Sequence, residues 1–343
     1  MINAISKELI LRRNEVNELV KTIYFGGGTP SLLDIDDLIF LMNIIFENYR
    51  VSDTMEITLE ANPDDLTKIK IIELSKTPVN RLSIGIQSFF DDDLRMMNRG
   101  HTSKESEKCL SVATDYFDNI TIDLIYGIAN MSKDKWRQNL QKTFDFGIPH
   151  ISSYALTVEP KTALYYYIEK GKYPPLNEKL ASQHFDILVD ETSKKGLIQY
   201  EISNFGLPDY FSKHNTSYWK GYSYIGIGPS AHSFNGRQRS WNVANNAKYL
   251  KGISNNELTR QTEALSQTDK FNELIMTGLR TIWGVSLDRV EKEFGIEFKN
   301  KLLRNAQNHI ANSSLEIVNE VLLITKKGKF FADGIASDLF LVT

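Results

Sequence analysis

Along the first half of the chain, the spacing of apolar and polar positions alternates between two periods. Short strand-like runs occur at TIYF (22–25), EITLEAN (56–62), RLSIGIQS (81–88), NITIDLIYG (119–127) and HISSYALTV (150–158). Stretches with apolar residues at three- and four-residue spacing follow them. The predicted helices run over 34–49, with Asp34 or Asp36 as N-cap, then near 65–76 and 91–97, from Ser103, and over 132–147. Five β-then-α units with short connections predict a parallel sheet with right-handed crossovers. Several strands read as apolar on both faces, as buried parallel strands are. Such units fit a barrel or an open doubly wound sheet. One position breaks the rhythm: the chain opens on an amphipathic helix, apolar at Ile2, Ile5, Leu9 and Val16, with no strand before it. In a βα array a helix covers the strand it follows, so the pattern lacks its first strand.

After residue 160 the alternation stops. Residues 165–196 read as a loop and then a long helix, while YEISNFGLPDY (200–210) and YIGIGPSAHSF (224–234) read as further strands. From about 268 three helical stretches precede a short hairpin, expected to turn near Lys326–Gly328. That is the order of a small winged-helix-like module. The expected organisation is a barrel-like region over 1–175, an extension over 176–262 and a helical module over 263–343.

Composition narrows the function classes. The 343 residues carry a net charge of −3, which gives no argument for nucleic-acid binding. No apolar run approaches the roughly 18 residues of a membrane span, and the N-terminus has no apolar signal-peptide core, so a cytosolic protein is expected. There is one cysteine, Cys109, in a helix-like stretch. It can form no internal disulfide, it cannot alone hold a zinc ion or an iron–sulfur cluster, and it reads as a structural thiol.

In a parallel α/β array, ligands sit at the carboxyl ends of the strands. Those ends carry Gly26-Gly27-Gly28-Thr29, then Glu60-Ala61-Asn62, Gln87-Ser88, Asp123 with Tyr126-Gly127, and Tyr154-Ala155; Arg99 and His101 follow the third strand. Triple glycine alone fits a tight strand-to-helix turn equally well, and with no Lys after it, it is not a phosphate loop. Asp123 lies inside an apolar strand, where a carboxylate is costly without a partner. Taken together, backbone N–H groups, two carboxylates, an amide and a guanidinium at one rim suit a zwitterionic ligand that carries a ribose.

IYFGGGTPSLL, LEANPDDL, RLSIGIQSF with NRGH, and IDLIYG resemble the radical S-adenosylmethionine (SAM) enzymes of the oxygen-independent coproporphyrinogen III oxidase group. HNTSYW (214–219) is similar to the H-N-x-x-Y-W motif of the family's HemW branch, which is described as heme chaperones. The resemblance covers nearly the whole chain. It implies an incomplete (β/α)6 barrel that lacks its first strand, followed by the winged-helix-like module. By similarity, Gly27, Gly28 and Thr29 would hold the methionine end of SAM and Glu60 would sit beside them. Gln87 and Asp123 would contact SAM polar groups, Arg99 its carboxylate, and Ala155 the adenine. His214, Asn215, Tyr218 and Trp219 carry the heme motif; His232, in GPSAHSF, is a second heme candidate and His101 a third. His150, His184 and His309 have no polar companions in sequence and read as structural.

The departure from the family is its C-x-x-x-C-x-x-C loop, which binds a [4Fe–4S] cluster after the first strand and has no counterpart in this chain. The strand missing from the pattern and the missing motif fall at the same place, as a late start site would produce. The chain as written is therefore expected to bind no cluster and cleave no SAM. The expected function is heme binding and delivery to heme-accepting apoproteins. The alternative is an oxygen-independent coproporphyrinogen III dehydrogenase that works through a SAM-derived radical. Peripheral membrane contact is a further expectation, as is dimerisation through the open edge of strand 22–25.

Overall fold

The structure, a computed structural model, describes residues 1–342. The chain divides into two compact units. One comprises Met1–Lys21, Asp34–Met55 and Ser212–Thr343, the other Thr22–Leu33 and Glu56–Phe211.

A seven-stranded sheet organises the second unit. Its strands are β1 (Val20–Phe25), β2 (Val51–Ala61), β3 (Arg81–Gln87), β4 (Ile120–Tyr126), β5 (His150–Ala155), β6 (Ile198–Glu201) and β7 (Asn204–Gly206). The order is β1-β2-β3-β4-β5-β7-β6, so the sheet has two end strands and is a partial barrel rather than a closed one. The steps from β2 to β5 are parallel, as the βα rhythm predicts. The sequence stretch 200–210, which reads as one strand, is instead the hairpin β6–β7, and β7 lies antiparallel against β5. Glu201 closes its turn: Oε2 accepts the Ser203 N–H at 3.0 Å and the Asn204 Nδ2 at 2.7 Å.

The strands are not apolar on both faces. Leu82, Ile84 and Ile86 of β3 have no exposed surface, while Arg81, Ser83, Gly85 and Gln87 point to the opposite face. Parallel register aligns polar residues on that face, Glu60 beside Ser83, Ser83 beside Thr121, Thr121 beside His150, and Asp123 beside Ser152. This lining suits the inside of a partial barrel that receives a polar ligand. Helices α3 (Lys68–Leu74), α4 (Asp91–Met96), α5 (Ser103–Tyr116) and α6 (Lys133–Asp145) supply Ile71, Leu74, Leu110, Ala113 and Leu140 to the apolar core. Further along come α7 (Ala163–Glu169) and α8 (Glu178–Lys194). Side-chain N-caps start several of these helices; Thr102 and Glu105 form a capping box on α5.

The first unit holds α1 (Ile2–Arg12), α2 (Ile35–Asn48) and α9 (Lys213–Trp219). Its antiparallel sheet consists of β8 (His232–Phe234), β9 (Gln238–Asn242) and β10 (Arg260–Ala264), with α10 (Asn246–Ser254) between the last two. Of the strand predicted over 224–234, only β8 and a bridge between Tyr224 and Phe234 form. Gly228 (φ +104) and Ser230 (φ +63) fold the chain back on itself. The C-terminal part runs α11 (Gln267–Leu279), β11 (Val285–Ser286), α12 (Leu287–Phe294), α13 (Ile296–Ala311), β12 (Leu315–Val318), β13 (Val321–Ile324) and α14 (Ala332–Asp338), with sheet order β11-β13-β12. Its hairpin turns at Asn319-Glu320, not at Lys326–Gly328. Both turn residues have positive φ, 49° and 58°, as a two-residue type I′ turn requires. No described helix is long and apolar enough to cross a membrane.

Candidate functional site

In the second unit, the residues singled out at the strand ends form two small groups, Glu60 with the glycine turn and Gln87 with Arg99 and Asn62. Gly26 is excluded from carrying a side chain by its neighbours: a Cβ there would lie 2.5 Å from Tyr24 Cε1 and 3.2 Å from Glu60 Cδ. Gly27 and Gly28 have φ of +77° and +68°, and a Cβ on either would meet nothing. Hence the three glycines have two different causes: close packing at the first, and a left-handed turn facing open space at the next two. The turn is held by Glu60. Its Oε2 accepts the Gly27 N–H at 3.1 Å and its Oε1 accepts the Tyr24 hydroxyl at 2.7 Å. Burial, reinforced by the Glu60 charge, pushes the Tyr24 phenol far up, so it stays a donor. Thr29 follows, its carbonyl accepting the Leu32 N–H at 3.1 Å.

Gln87 ends β3 with φ +65°. A Cβ on Gly85 would come within 2.9 Å of Gln87 Nε2 and 3.2 Å of Arg99 Nη2, so these two side chains converge above the glycine. Arg99 donates from Nη2 to Asn62 Oδ1 at 2.7 Å, while its Nε is buried with no hydrogen-bond partner. Asp123 sits in mid-β4 opposite Ser152. Burial raises its carboxyl to about 7, with the Glu60 charge adding to the rise and Arg99, Arg81 and Ser152 opposing it. Ala155 ends β5 opposite Tyr126. Sequence reasoning missed Tyr24 and Ser152 as partners, and it placed Asn62 at a strand end without a role. For Tyr24 the available signal was its place two residues before Gly26, on the same face of the strand.

His101 is buried against β3. It is 3% exposed, its Nε2 lies 3.2 Å from the Ile86 carbonyl, and burial lowers its pKa. His150 and His184 are buried, as expected of structural residues, yet both have polar companions. His150 Nε2 lies 2.8 Å from the Tyr200 hydroxyl and its Nδ1 3.1 Å from Thr121 Oγ1, and Arg81 also donates to Thr121. His184 Nδ1 accepts the Gly127 N–H at 3.1 Å. His309, in the first unit, lies 3.1 Å from Asp338.

Also in the first unit, HNTSYW folds as one helical segment, α9, with Ser212 as N-cap accepting the Asn215 N–H. The i,i+4 spacing puts His214 and Tyr218 on one face. His214 Nε2 and the Tyr218 hydroxyl are 2.9 Å apart, and the rings meet edge-on with centroids at 4.8 Å. Tyr218 continues onto Tyr224 at 4.6 Å. Burial lowers His214 to about 4, so the imidazole is neutral at pH 7, and raises Tyr218 to about 12. Trp219 Nε1 is buried without a partner, and the Arg280 guanidinium lies 5.1 Å from the Trp219 ring centre. His232 is exposed and stacks on Trp241, centroids 5.9 Å apart.

The two cofactors of the resembled family fare differently. The open glycine turn, the unpartnered Arg99 Nε and the Glu60 carboxylate beside the turn fit SAM. A [4Fe–4S] cluster does not fit. Cys109 is the single cysteine, it is buried in α5, and burial pushes its thiol up to about 12. Among the described residues no group of three His, Cys, Asp or Glu side chains could hold a metal ion.

Residues 3–142 match the radical SAM superfamily and residues 265–331 the HemN C-terminal domain. The heme chaperone HemW of Bacillus subtilis is 33% identical over 298 residues, 86% of this chain and 79% of that protein. The heme chaperone HemW of Lactococcus lactis is 32% identical over 335 residues, 93% and 86% of the two chains. Among solved structures, coproporphyrinogen III oxidase (HemN) from Escherichia coli, described as a radical SAM enzyme, superposes with a TM-score of 0.84 over 98% of this chain and 82% of that one, at 20% identity. That likeness shows the fold: an α/β radical SAM partial barrel.

Proposed function

The chain belongs to the HemW family of the radical SAM superfamily, and from that premise we propose that it binds heme and delivers it to heme-accepting apoproteins. The observation that carries the reading is the pairing of His214 with Tyr218 in α9. Imidazole and phenolate are both axial ligands of heme iron, and burial keeps the half-buried His214 imidazole neutral at pH 7. Aromatic rings at 214, 218 and 224 give a flat apolar macrocycle surfaces to stack on.

SAM belongs to this reading as a bound ligand. Gly27, Gly28 and Thr29 would take its methionine end beside Glu60, Arg99 its carboxylate, Gln87 and Asp123 its polar groups, and Ala155 the adenine. In the family SAM supplies a radical when a reduced cluster cleaves it. This chain has a single cysteine, so SAM is assigned a binding role and no cleavage step. A heme-handling role accounts for the site better than porphyrinogen oxidation does.

The test is a hemin titration of the chain followed in the Soret band, beside His214→Ala, and then transfer of the bound heme to an apo-hemoprotein. A saturable one-to-one spectrum that His214→Ala alters, followed by transfer, is the expected result. Absence of saturable binding by the unaltered chain overturns the proposal.

A further inference from the structure

The sheet β8-β9-β10 has two unlike faces. One is committed inward: Ser233 accepts from Arg12 Nη2 at 3.0 Å, and Asn242 Nδ2 donates to Glu8 Oε1 at 2.7 Å. Alternation along the strands sends His232, Phe234, Arg239 and Trp241 to the opposite face. Register sets His232 across from Trp241, Phe234 across from Arg239, Gln261 across from Trp241 and Glu263 across from Arg239. The solvent side of an antiparallel sheet is ordinarily polar. Here an imidazole, an indole, a phenyl ring and a guanidinium share one small area, with Gln261 and Glu263 on its β10 side. His232 is exposed, and none of the hydrogen bonds of the described residues involves its ring nitrogens. It is held in place by stacking on Trp241, whose Nε1 donates to Gln261 Oε1 at 3.0 Å. Arg239 is 44% exposed and pairs with Glu273; with five N–H donors, it has capacity beyond that partner.

We propose that this face is the seat of an anionic metalloporphyrin, with His232 as the axial ligand of the iron, Phe234 and Trp241 against the macrocycle and Arg239 on a propionate. The proposal rests on the heme reading above and deepens it. His214 already shares its Nε2 with Tyr218, whereas both nitrogens of His232 are available to a metal. Phe234 links the two places, because its ring lies 6.2 Å from that of Tyr224, which in turn meets Tyr218. The ligand chemistry follows from the residues: a soft-to-borderline metal for imidazole, a flat apolar ring for the aromatics, and a carboxylate for the guanidinium.

The test titrates hemin, and separately hemin dimethyl ester, into the full chain and into His232→Ala, His214→Ala and Arg239→Gln, with far-UV circular dichroism as a check on folding. The expected result is loss of the liganded Soret spectrum in His232→Ala and its return on adding imidazole, an effect that a merely structural role would not produce. Arg239→Gln should weaken hemin by about tenfold, one charge-assisted hydrogen bond, and leave the dimethyl ester unchanged. If His232→Ala titrates like the unaltered chain while His214→Ala loses the spectrum, the proposal is overturned and the heme reading stands. If the unaltered chain does not bind hemin, both fall. Should His232→Ala misfold, equal weakening of hemin and its ester by Arg239→Gln, or no weakening of either, overturns the placement.

Discussion

Tyr24 and Glu60, on neighbouring strands, are joined by a 2.7 Å hydrogen bond that fixes the carboxylate beneath the glycine turn. The other oxygen of Glu60 holds Gly27 N–H, so the strand, the acid and the turn form one unit. Such a preset carboxylate limits the reorganisation that a ligand must cause when it arrives.

That unit distinguishes the glycines. In Gly26→Ala the new methyl meets the Tyr24 ring at 2.5 Å, and the ring cannot swing away without breaking its bond to Glu60. Overpacking of this kind costs roughly 1–3 kcal/mol. Gly28→Ala meets no atom and carries only the left-handed backbone cost, about 1 kcal/mol. Urea unfolding should rank Gly26→Ala as the less stable variant, and SAM binding by calorimetry should weaken more in Gly26→Ala. Equal midpoints for the two variants would contradict the packing account.

Asp123 gives the second unit a pH dependence of defined sign. Its folded-state pKa, about 7, lies above the usual carboxyl value near 4. Between those values the folded protein holds a proton that the unfolded chain has released, so stability falls as pH rises from 4 to 7 and levels off above. Asp123→Asn removes the titration. The variant should gain stability relative to the unaltered protein on going from pH 5 to pH 8, read as the change in urea midpoint difference. A difference that stays constant across that range would show that Asp123 is not held protonated.

How much of the fold and the site is legible in the sequence varies with the range of the interactions. The βα rhythm and the strand ends, with Glu60, Gln87 and Asp123, are readable because parallel strands with short connections bring their carboxyl ends together. The polar lining is written in RLSIGIQ, where Arg81, Ser83, Gly85 and Gln87 alternate with Leu82, Ile84 and Ile86, but the apolar half of that pattern masks the polar half. The strand predicted over 224–234 fails because the chain doubles back within it. IGIG is strand-like, yet Gly228 and Ser230 turn the chain, and the His232 carbonyl comes so close that it would lie 2.0 Å from a Cβ on Gly226. The hairpin turn is expected at a Lys-Gly, whereas Asn319-Glu320 adopts two left-handed residues without any glycine. His101 resembles a ligand beside Arg99, and only the tertiary fold buries it against Ile86.

Edge strand β1 carries a prediction about self-association. It ends the seven-stranded sheet, and none of its residues is fully buried. A strand at a sheet edge is a template for pairing with another chain. Size-exclusion chromatography with light scattering should show a dimer fraction that grows with concentration and falls in Ile23→Lys, since an edge lysine opposes pairing. A strictly monomeric protein at high concentration would refute it.

The last prediction concerns a buried charge cluster in the first unit. Glu8 has no exposed surface, and both of its oxygens are fully used. Oε1 accepts from Arg12 at 3.0 Å and Asn242 at 2.7 Å; Oε2 accepts from the Gly228 N–H at 2.8 Å and the Tyr249 hydroxyl at 2.6 Å. Arg12, 1% exposed, also donates to the Gly226 carbonyl at 2.7 Å and to Glu15. One carboxylate thus ties α1 to Gly228, to β9 and to α10. Glu8→Ala takes the nearest carboxylate from a buried guanidinium that keeps Glu15 and the Gly226 carbonyl, and leaves three other donors without their acceptor, which should cost roughly 3–5 kcal/mol. Replacing both charges, Glu8→Leu with Arg12→Met, removes the stranded cation and should be less destabilising than the two single changes added together. Thermal unfolding of the four proteins measures this coupling. Strict additivity would mean that the two side chains, although 3.0 Å apart, do not act as a pair.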